Sequence, residues 1–425
     1  MSIKSSAWYS QHHNLNPILI FISTLTVTLF LDSGRYYTDD FNHYFATWHL
    51  ALHGKSPYCT DLRALGLADV SFHPDVIEAT NPPTLALAFS PLALLPLRQA
   101  WLVWIGMNQL ALVLSVRLLL RLARIPITLR REAIAALLLS VSYPGFDSLF
   151  YSQVQPTIFF LVLVGIEQYR KRREFIAGAV WMVAIALKVV PALILFWLIG
   201  RRSKSALIGA SVAGILTLCL GFVIPNLYLD YLSCAPKILN KWVLGSLWNI
   251  SFVGMTSRVA QIVTGFSGGG SLRLDIPILF VSAVGSMYLG LKSRRLGASR
   301  ILSSIAIVFT VSFFSFSVAW PSYLIICYLP IAVLSRYRSL IPKQMLVAFA
   351  SIAFLLFAKQ PFEARLSSVH LWFLKSLSLS FFVLFLCLNM AVFFRRGYGK
   401  CGHQQQTRCA RRMWWGRDGF RSSSD

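Results

Sequence analysis

The sequence predicts an all-α polytopic membrane protein, and two observations carry the prediction. Hydrophobic residues make up 56% of the 425 positions, aromatic residues 14% and charged residues 13%, with a mean hydropathy of +0.62; that balance excludes a soluble domain. The net charge of +24 sits in short Lys/Arg clusters between apolar runs, as a positive-inside topology places it, and not in a continuous nucleic-acid-binding face.

Those clusters serve as a ruler: Arg117–Arg131, Arg170–Arg173, Arg201–Lys204, Lys292–Arg300, Arg336–Lys343 and the tail from Arg395. With each placed in the cytoplasm, the apolar stretch between two of them must cross an even number of times. Residues 17–31 follow Lys4 and a polar lead, lack a small-x-small cleavage site, and are expected to be a retained first helix that crosses outward. They deliver loop 32–80, where Asp32, Asp39, Asp40, Asp61, Asp69, Asp75 and Glu78 outweigh Arg35, Lys55 and Arg63. That acidic balance fits an outer face. Residues 81–120 must return once, so the Pro-rich part, 81–97, dips into the membrane or lies along it. Stretches 132–169, 205–291, 301–335 and 344–394 each make two crossings, with turns at Tyr143–Pro156, at an outer loop of about 225–275, at Ser315–Ser322 and at Lys359–Ser367. Residues 175–200 are short for two crossings. They form either a tight hairpin of half-length helices bent near Lys188 and Pro191, or one full helix that would put Arg201 and Arg202 outside.

The sum is about twelve transmembrane helices in one domain, 1–394, with both termini cytoplasmic. Residues 395–425 form a basic, disordered tail, and Ser267–Ser271 (SGGGS) marks a mobile part of the second large outer loop. Of the seven cysteines, only Cys59 and Cys234 share the outer side, which allows at most one disulfide there. Cys401 and Cys409 bracket His403 but fall short of the roughly four ligands a zinc site needs.

On this topology the unusual polar residues gather at the outer face: Asp39 and Asp40, Asn81-Pro82-Pro83, Gln153 and Gln155, Lys188, Asn249 and Arg258, and Trp320 to Tyr323. Each also has a plainer explanation. Asp39 and Asp40 could cap the helix Phe41–Leu52, Lys188 could snorkel from a helix end, and Arg258 could be an ordinary loop arginine. The helix itself carries Phe41, Tyr44, Phe45, Trp48 and Leu52 at helical spacing and is expected to lie on the bilayer, which holds an acid at its start at headgroup depth. Lys188, set in WMVAIALKVVPALILFW, suits a phosphate at the outer surface. Adjacent acids in an extended segment point opposite ways, so a metal bridged by both is not expected. No G-x-x-x-x-G-K-[ST], H-E-x-x-H or G-x-S-x-G motif is present.

At these residues the chain resembles glycosyltransferase family 87 of the GT-C superfamily, which includes polyprenol-phosphate-mannose-dependent mannosyltransferases. The resemblance covers most of 17–394 as a constellation of loose motifs. The D-[FL]-x-x-Y opening and its G-x-x-x-Y are matched by Asp40-Phe41-Asn42-His43-Tyr44 and Gly54-Lys55-Ser56-Pro57-Tyr58. Y-P-P with P-L-A-x-L-P is matched by Asn81-Pro82-Pro83 and Pro91 to Pro96. G-Q-x-N is reduced to Ser152-Gln153-Val154-Gln155, K-x-x-P is intact as Lys188 to Pro191, and N-x-S before an arginine is Asn249-Ile250-Ser251 with Arg258. In the S-P-x-S-W-x-H-[HY] stretch, Ser322 stands where the family often has histidine, so that histidine's role does not carry over.

The resemblance implies a GT-C fold with interfacial helices in its first outer loop. It also implies inverting transfer of a sugar, most often mannose, from a polyprenyl-phosphate donor to a lipid or glycan acceptor at the outer face of the inner membrane. Asp40, or Asp39 in its place, would act as general base, and Lys188 and Arg258 would hold the donor phosphate. Tyr44, Gln153, Asn249, Trp320 and Tyr323 would bind substrate, with no metal or other cofactor. Two other classes compete: a transporter or flippase of lipid-linked sugars, which should carry ionisable groups near the midplane and paired broken helices, and a non-catalytic subunit of a cell-envelope assembly.

Overall fold

The computed structural model describes residues 20–26, 39–67, 79, 81–238, 249–254, 256, 275–294, 298–316 and 319–335, and every regular element among them is helical. Most of the first crossing, the Ser267–Ser271 run, Arg258, the 344–394 hairpin and the tail lie outside them.

By length and composition, three described helices can cross a membrane: α3 (Leu97–Leu122, one residue longer with its cap), α9 (Lys204–Gly221) and α11 (Asp275–Ser293). A fourth span results if α4 (Leu129–Val141) and α5 (Tyr143–Phe150), bent by 65° at Ser142, count as one. The bend has a local cause. Ser142 leaves the helix as an extended residue and its Oγ caps α5 by accepting from the Gly145 amide, while Pro144 takes an early helical position where its missing N–H costs nothing. Pro-rich 81–97 forms only α2 (Pro83–Phe89) and a 3-10 turn, Ser90–Leu94. Both are far too short to span a core of about 30 Å.

The fate of residues 175–200 is set at one end of the bundle. The segment splits into α7 (Glu174–Leu187) and α8 (Leu193–Arg201), separated by Lys188 and the 3-10 turn Val190–Ala192. Arg201 donates from Nε to the Tyr169 hydroxyl at the end of α6 (Gln155–Arg170) at 2.6 Å, and from Nη1 to the Ser293 carbonyl at the end of α11 at 2.7 Å. Ser203 donates to Glu174 at 2.6 Å. The start of α7, the end of α8 and three basic clusters therefore share one end of the molecule, the basic end. Helices of 14 and 9 residues reach only about 21 and 14 Å, so this segment is a re-entrant hairpin with Lys188 near its tip.

Helix α7 runs beside α9 with backbones in contact: a Cβ on Gly178 would collide with the Ala206 carbonyl, and one on Gly209 with that of Phe175. Close approach through small residues is how apolar helices associate where the solvent is itself apolar. Residues 301–335 hold α12 (Ala298–Ser315), the 3-10 segment Pro321–Cys327 and α13 (Tyr328–Ser335), and neither helix counts by itself as a span.

Gly178→Val should therefore cost about 1–3 kcal/mol or more by overpacking, seen as a lower melting temperature and loss of the monodisperse peak in detergent. Gly106→Ala, where an added Cβ meets nothing within 4 Å, should leave both unchanged.

Candidate active site

Helix α1 (Asp39–Leu52) carries the first site residues. Every residue from Phe41 to Trp48 is buried, so α1 is enclosed in protein and does not lie open on a bilayer as its aromatic face suggested. Two coverings explain this. Tyr44, Trp48, Phe89 and Trp104 form an aromatic cluster with ring centroids 4.9–6.0 Å apart, while Ala46 and Leu50 pack on Leu62 of the short turn Leu62–Leu65 folded beneath the helix. Asp39 and Asp40 are helical, so they diverge around the helix and are not opposed as in an extended chain. Asp40 is half-buried; the side chain of Asp39 lies outside the described residues.

The turn between α5 and α6 meets Asp40. Gln153 donates from Nε2 to Asp40 Oδ2 and accepts from the Tyr44 hydroxyl on Oε1 at 3.3 Å. Burial, with the Asp40 charge added, pushes the Tyr44 phenol well up, so it stays protonated and remains a donor. The turn is fixed by Ser152, which has a φ of 52° in the left-handed region. Its carbonyl accepts from Trp104 Nε1 at 2.6 Å and its Oγ from Trp101 Nε1 at 3.2 Å.

Lys188 approaches from the hairpin tip. Its backbone is extended, which breaks the helix and would strand polar groups in an apolar setting. Ser312 of α12 satisfies two of them: its Oγ donates to the Val190 carbonyl and accepts from the Leu193 amide at 3.2 Å. The Lys188 ammonium sits 4.9 Å from the centroid of the Tyr323 ring, a cation–π contact. Ser148 donates to the Ser322 carbonyl at 3.5 Å, which sets the turn bearing Tyr323 against α5, so the Asp40–Gln153–Tyr44 bonds and the Lys188–Tyr323 contact lie in neighbouring parts of the fold.

Other expected residues stand further back. Asn249 is fully buried, and its Oδ1 accepts from the amides of Ser251 and Ala319 at 3.1 and 3.0 Å. With Ile250 N donating to Ala319 O at 2.7 Å, it ties its segment to the start of the Trp320–Tyr323 turn. Trp320 is partly exposed at that turn, and Tyr323 N donates to its carbonyl at 2.9 Å. Ser322 is buried with no exposure.

Sequence reasoning missed Trp101, Trp104, Ser312 and Tyr231. Tyr231 belongs to α10 (Leu227–Ile238) and makes an edge contact with Tyr58 at 5.2 Å. The Cys59–Cys234 disulfide pins α10 to the first loop, and Tyr58 donates to the Asn81 carbonyl at 2.6 Å. Spacing alone could have flagged only the cysteine pair.

Ser312→Ala should remove the hydroxyl from the Val190 carbonyl and leave the Leu193 amide only its bond to the Pro191 carbonyl, at a cost of about 1–3 kcal/mol. A thermal melt in detergent should show the drop, and the variant's turnover should fall further than its folded fraction because Lys188 loses its fixed position.

The model of glycosyltransferase family 87 matches residues 79–317, more than half of the 425-residue chain. The match takes in Asn81-Pro82-Pro83, Gln153, Lys188 and Asn249, while Asp40 and Tyr44 precede it and Trp320 and Tyr323 follow it. No curated protein matches the chain. On the family match and the apolar helical bundle together, the chain belongs to glycosyltransferase family 87 and is a membrane glycosyltransferase of GT-C type.

Proposed function

We propose that the enzyme transfers a hexose, by resemblance mannose, from a polyprenyl-phosphate donor to a lipid or glycan acceptor, with inversion, at the outer face of the inner membrane. The features that support this most are a carboxylate, Asp40, held by Gln153, and a cation, Lys188, set over the Tyr323 ring in a neighbouring part of the fold. Inverting transfer needs both charges. Asp40 takes the acceptor hydroxyl's proton as that oxygen attacks the anomeric carbon. The bond to the phosphate breaks on the opposite side, and negative charge grows on the phosphate oxygen. Lys188 meets that charge and stabilises the transition state more than the ground state. Since a lipid phosphate leaves without being protonated, no general acid is required.

Asp39 is the alternative base, and Arg258 a second cation for the donor phosphate. Tyr44, Gln153, Asn249, Trp320 and Tyr323 shape the substrate site. The orientation rests on charge and redox chemistry: the basic clusters at one end fit the cytoplasm, and the Cys59–Cys234 disulfide fits an oxidising outer compartment.

The test uses purified protein in lipid, radiolabelled polyprenyl-phosphate mannose and a total lipid extract from the native host. Label should enter a new glycolipid with wild type, and Asp40→Asn, which removes a base without altering shape, should cut turnover by about 10³-fold or more with donor binding retained. Turnover near wild type in that variant would exclude Asp40 as the base, and donor crossing sealed vesicles without transfer would favour a transporter. In the same assay Lys188→Ala should raise the donor KM and lower kcat by about 10²-fold.

A further inference from the structure

We propose that Gln153 is a positioning residue for the general base, orienting the Asp40 carboxylate through an amide that the Tyr44 hydroxyl locks in one direction. The inference rests on the reading of Asp40 as base. Both ends of the Gln153 amide are engaged: Nε2 by Asp40 Oδ2 and Oε1 by the Tyr44 hydroxyl. Chemistry fixes which end is which. An ionised carboxylate only accepts, and a protonated phenol whose hydrogen points at the amide only donates, so the amide nitrogen must face Asp40 and its oxygen Tyr44. At 7% exposure, Gln153 has little access to water that could take over either bond.

The backbone beneath it is equally determined. The Gln153 amide donates to the Ser148 carbonyl at 2.7 Å and that of Ser152 to Leu149 at 3.0 Å, and Trp101 and Trp104 clamp Ser152 from α3. Each end of this amide already holds a protein partner, and its nitrogen contacts the proposed base. Donation to the ionised carboxylate favours the charged form and sets the direction of its oxygens before the acceptor arrives. Asp40 is thereby aimed when the hydroxyl enters.

The experiment measures kcat, donor KM and the pH dependence of kcat for Gln153→Ala, Tyr44→Phe and the double variant in the reconstituted transfer assay, with melting temperatures alongside. Gln153→Ala should lower kcat by about 10- to 100-fold with donor KM within about threefold. Its acid limb should move to higher pH, because the carboxylate loses a donor that favours its charged form. Tyr44→Phe, which keeps the ring packing, should shift the same limb the same way by less. Adding it to Gln153→Ala should change nothing further, since its effect passes through the amide. A raised KM with kcat and the acid limb unchanged would make Gln153 a substrate ligand and overturn the proposal. If Gln153→Ala does not fold, the acid limb of Tyr44→Phe decides the matter, and an unmoved limb overturns it. Loss of turnover in Asp40→Asn beside an unaffected Gln153→Ala overturns this inference alone, whereas full turnover in Asp40→Asn overturns the base assignment beneath it.

Discussion

The arrangement depends on the polar tie at the basic end, where Arg201 bonds both Tyr169 and Ser293 and Ser203 bonds Glu174. By bringing both ends of one apolar segment to the same end of the bundle, it denies α7 and α8 the length to cross and forces a hairpin. A hairpin in an apolar medium must break its helix at the tip, and a broken helix exposes backbone groups that cost several kcal/mol each if left bare. Ser312 answers two of these from the neighbouring α12. The same break supplies a position for a lysine that a continuous helix would have turned toward lipid or buried unpaired. The network at one end and the cation at the other are two consequences of one short segment.

The anionic side of the site is built by a different means. Asp40 rides on a helix that is wholly enclosed between Phe41 and Trp48, with Trp48 and Trp104 rings 5.1 Å apart on one side and Leu62 on the other. Because Trp104 also donates to Ser152, the aromatic cluster that holds α1 holds the turn bearing Gln153 as well. Tryptophan contributes large buried area together with one polar handle, and here the handle points at the chain segment that bears Gln153, the partner of Asp40. The disulfide and Tyr58 complete the frame, linking the first loop both to α10 and to Asn81.

Charge patterning reads topology as a sum over many residues, and three of its clusters meet at one end of the bundle. It reduced residues 175–200 to two choices, of which the half-length hairpin is the one found. Element type was legible for Phe41–Leu52, whose aromatic spacing is helical, but its burial was not. Which faces are covered depended on Leu62, some twenty residues on, and on Phe89 and Trp104 further still. Asp39 and Asp40 belong to the helix and are not an extended pair, for a separate and local reason: the helix starts two residues earlier than the hydrophobic pattern indicates, because polar residues at a helix start leave no periodic trace. Ser312 was invisible, a serine among several in an apolar run, distinguished only by what α12 packs against.

Asn249 and Ser152 mark the boundary between motif and mechanism. The N-x-S pattern points to Asn249 as a polar residue beside the site, yet its Oδ1 is taken up by the Ser251 and Ala319 amides, so its influence on chemistry runs through the placement of Trp320 and Tyr323. At Ser152 the family pattern has glycine, and the φ of 52° explains why, since a side chain there costs about 1 kcal/mol or more. This chain carries serine and supplies an offset: the Oγ that glycine lacks accepts from Trp101, a bond of about the same worth. The turn that presents Gln153 to Asp40 is therefore kept by a pair of residues, Ser152 and Trp101, where the family pattern keeps it by one.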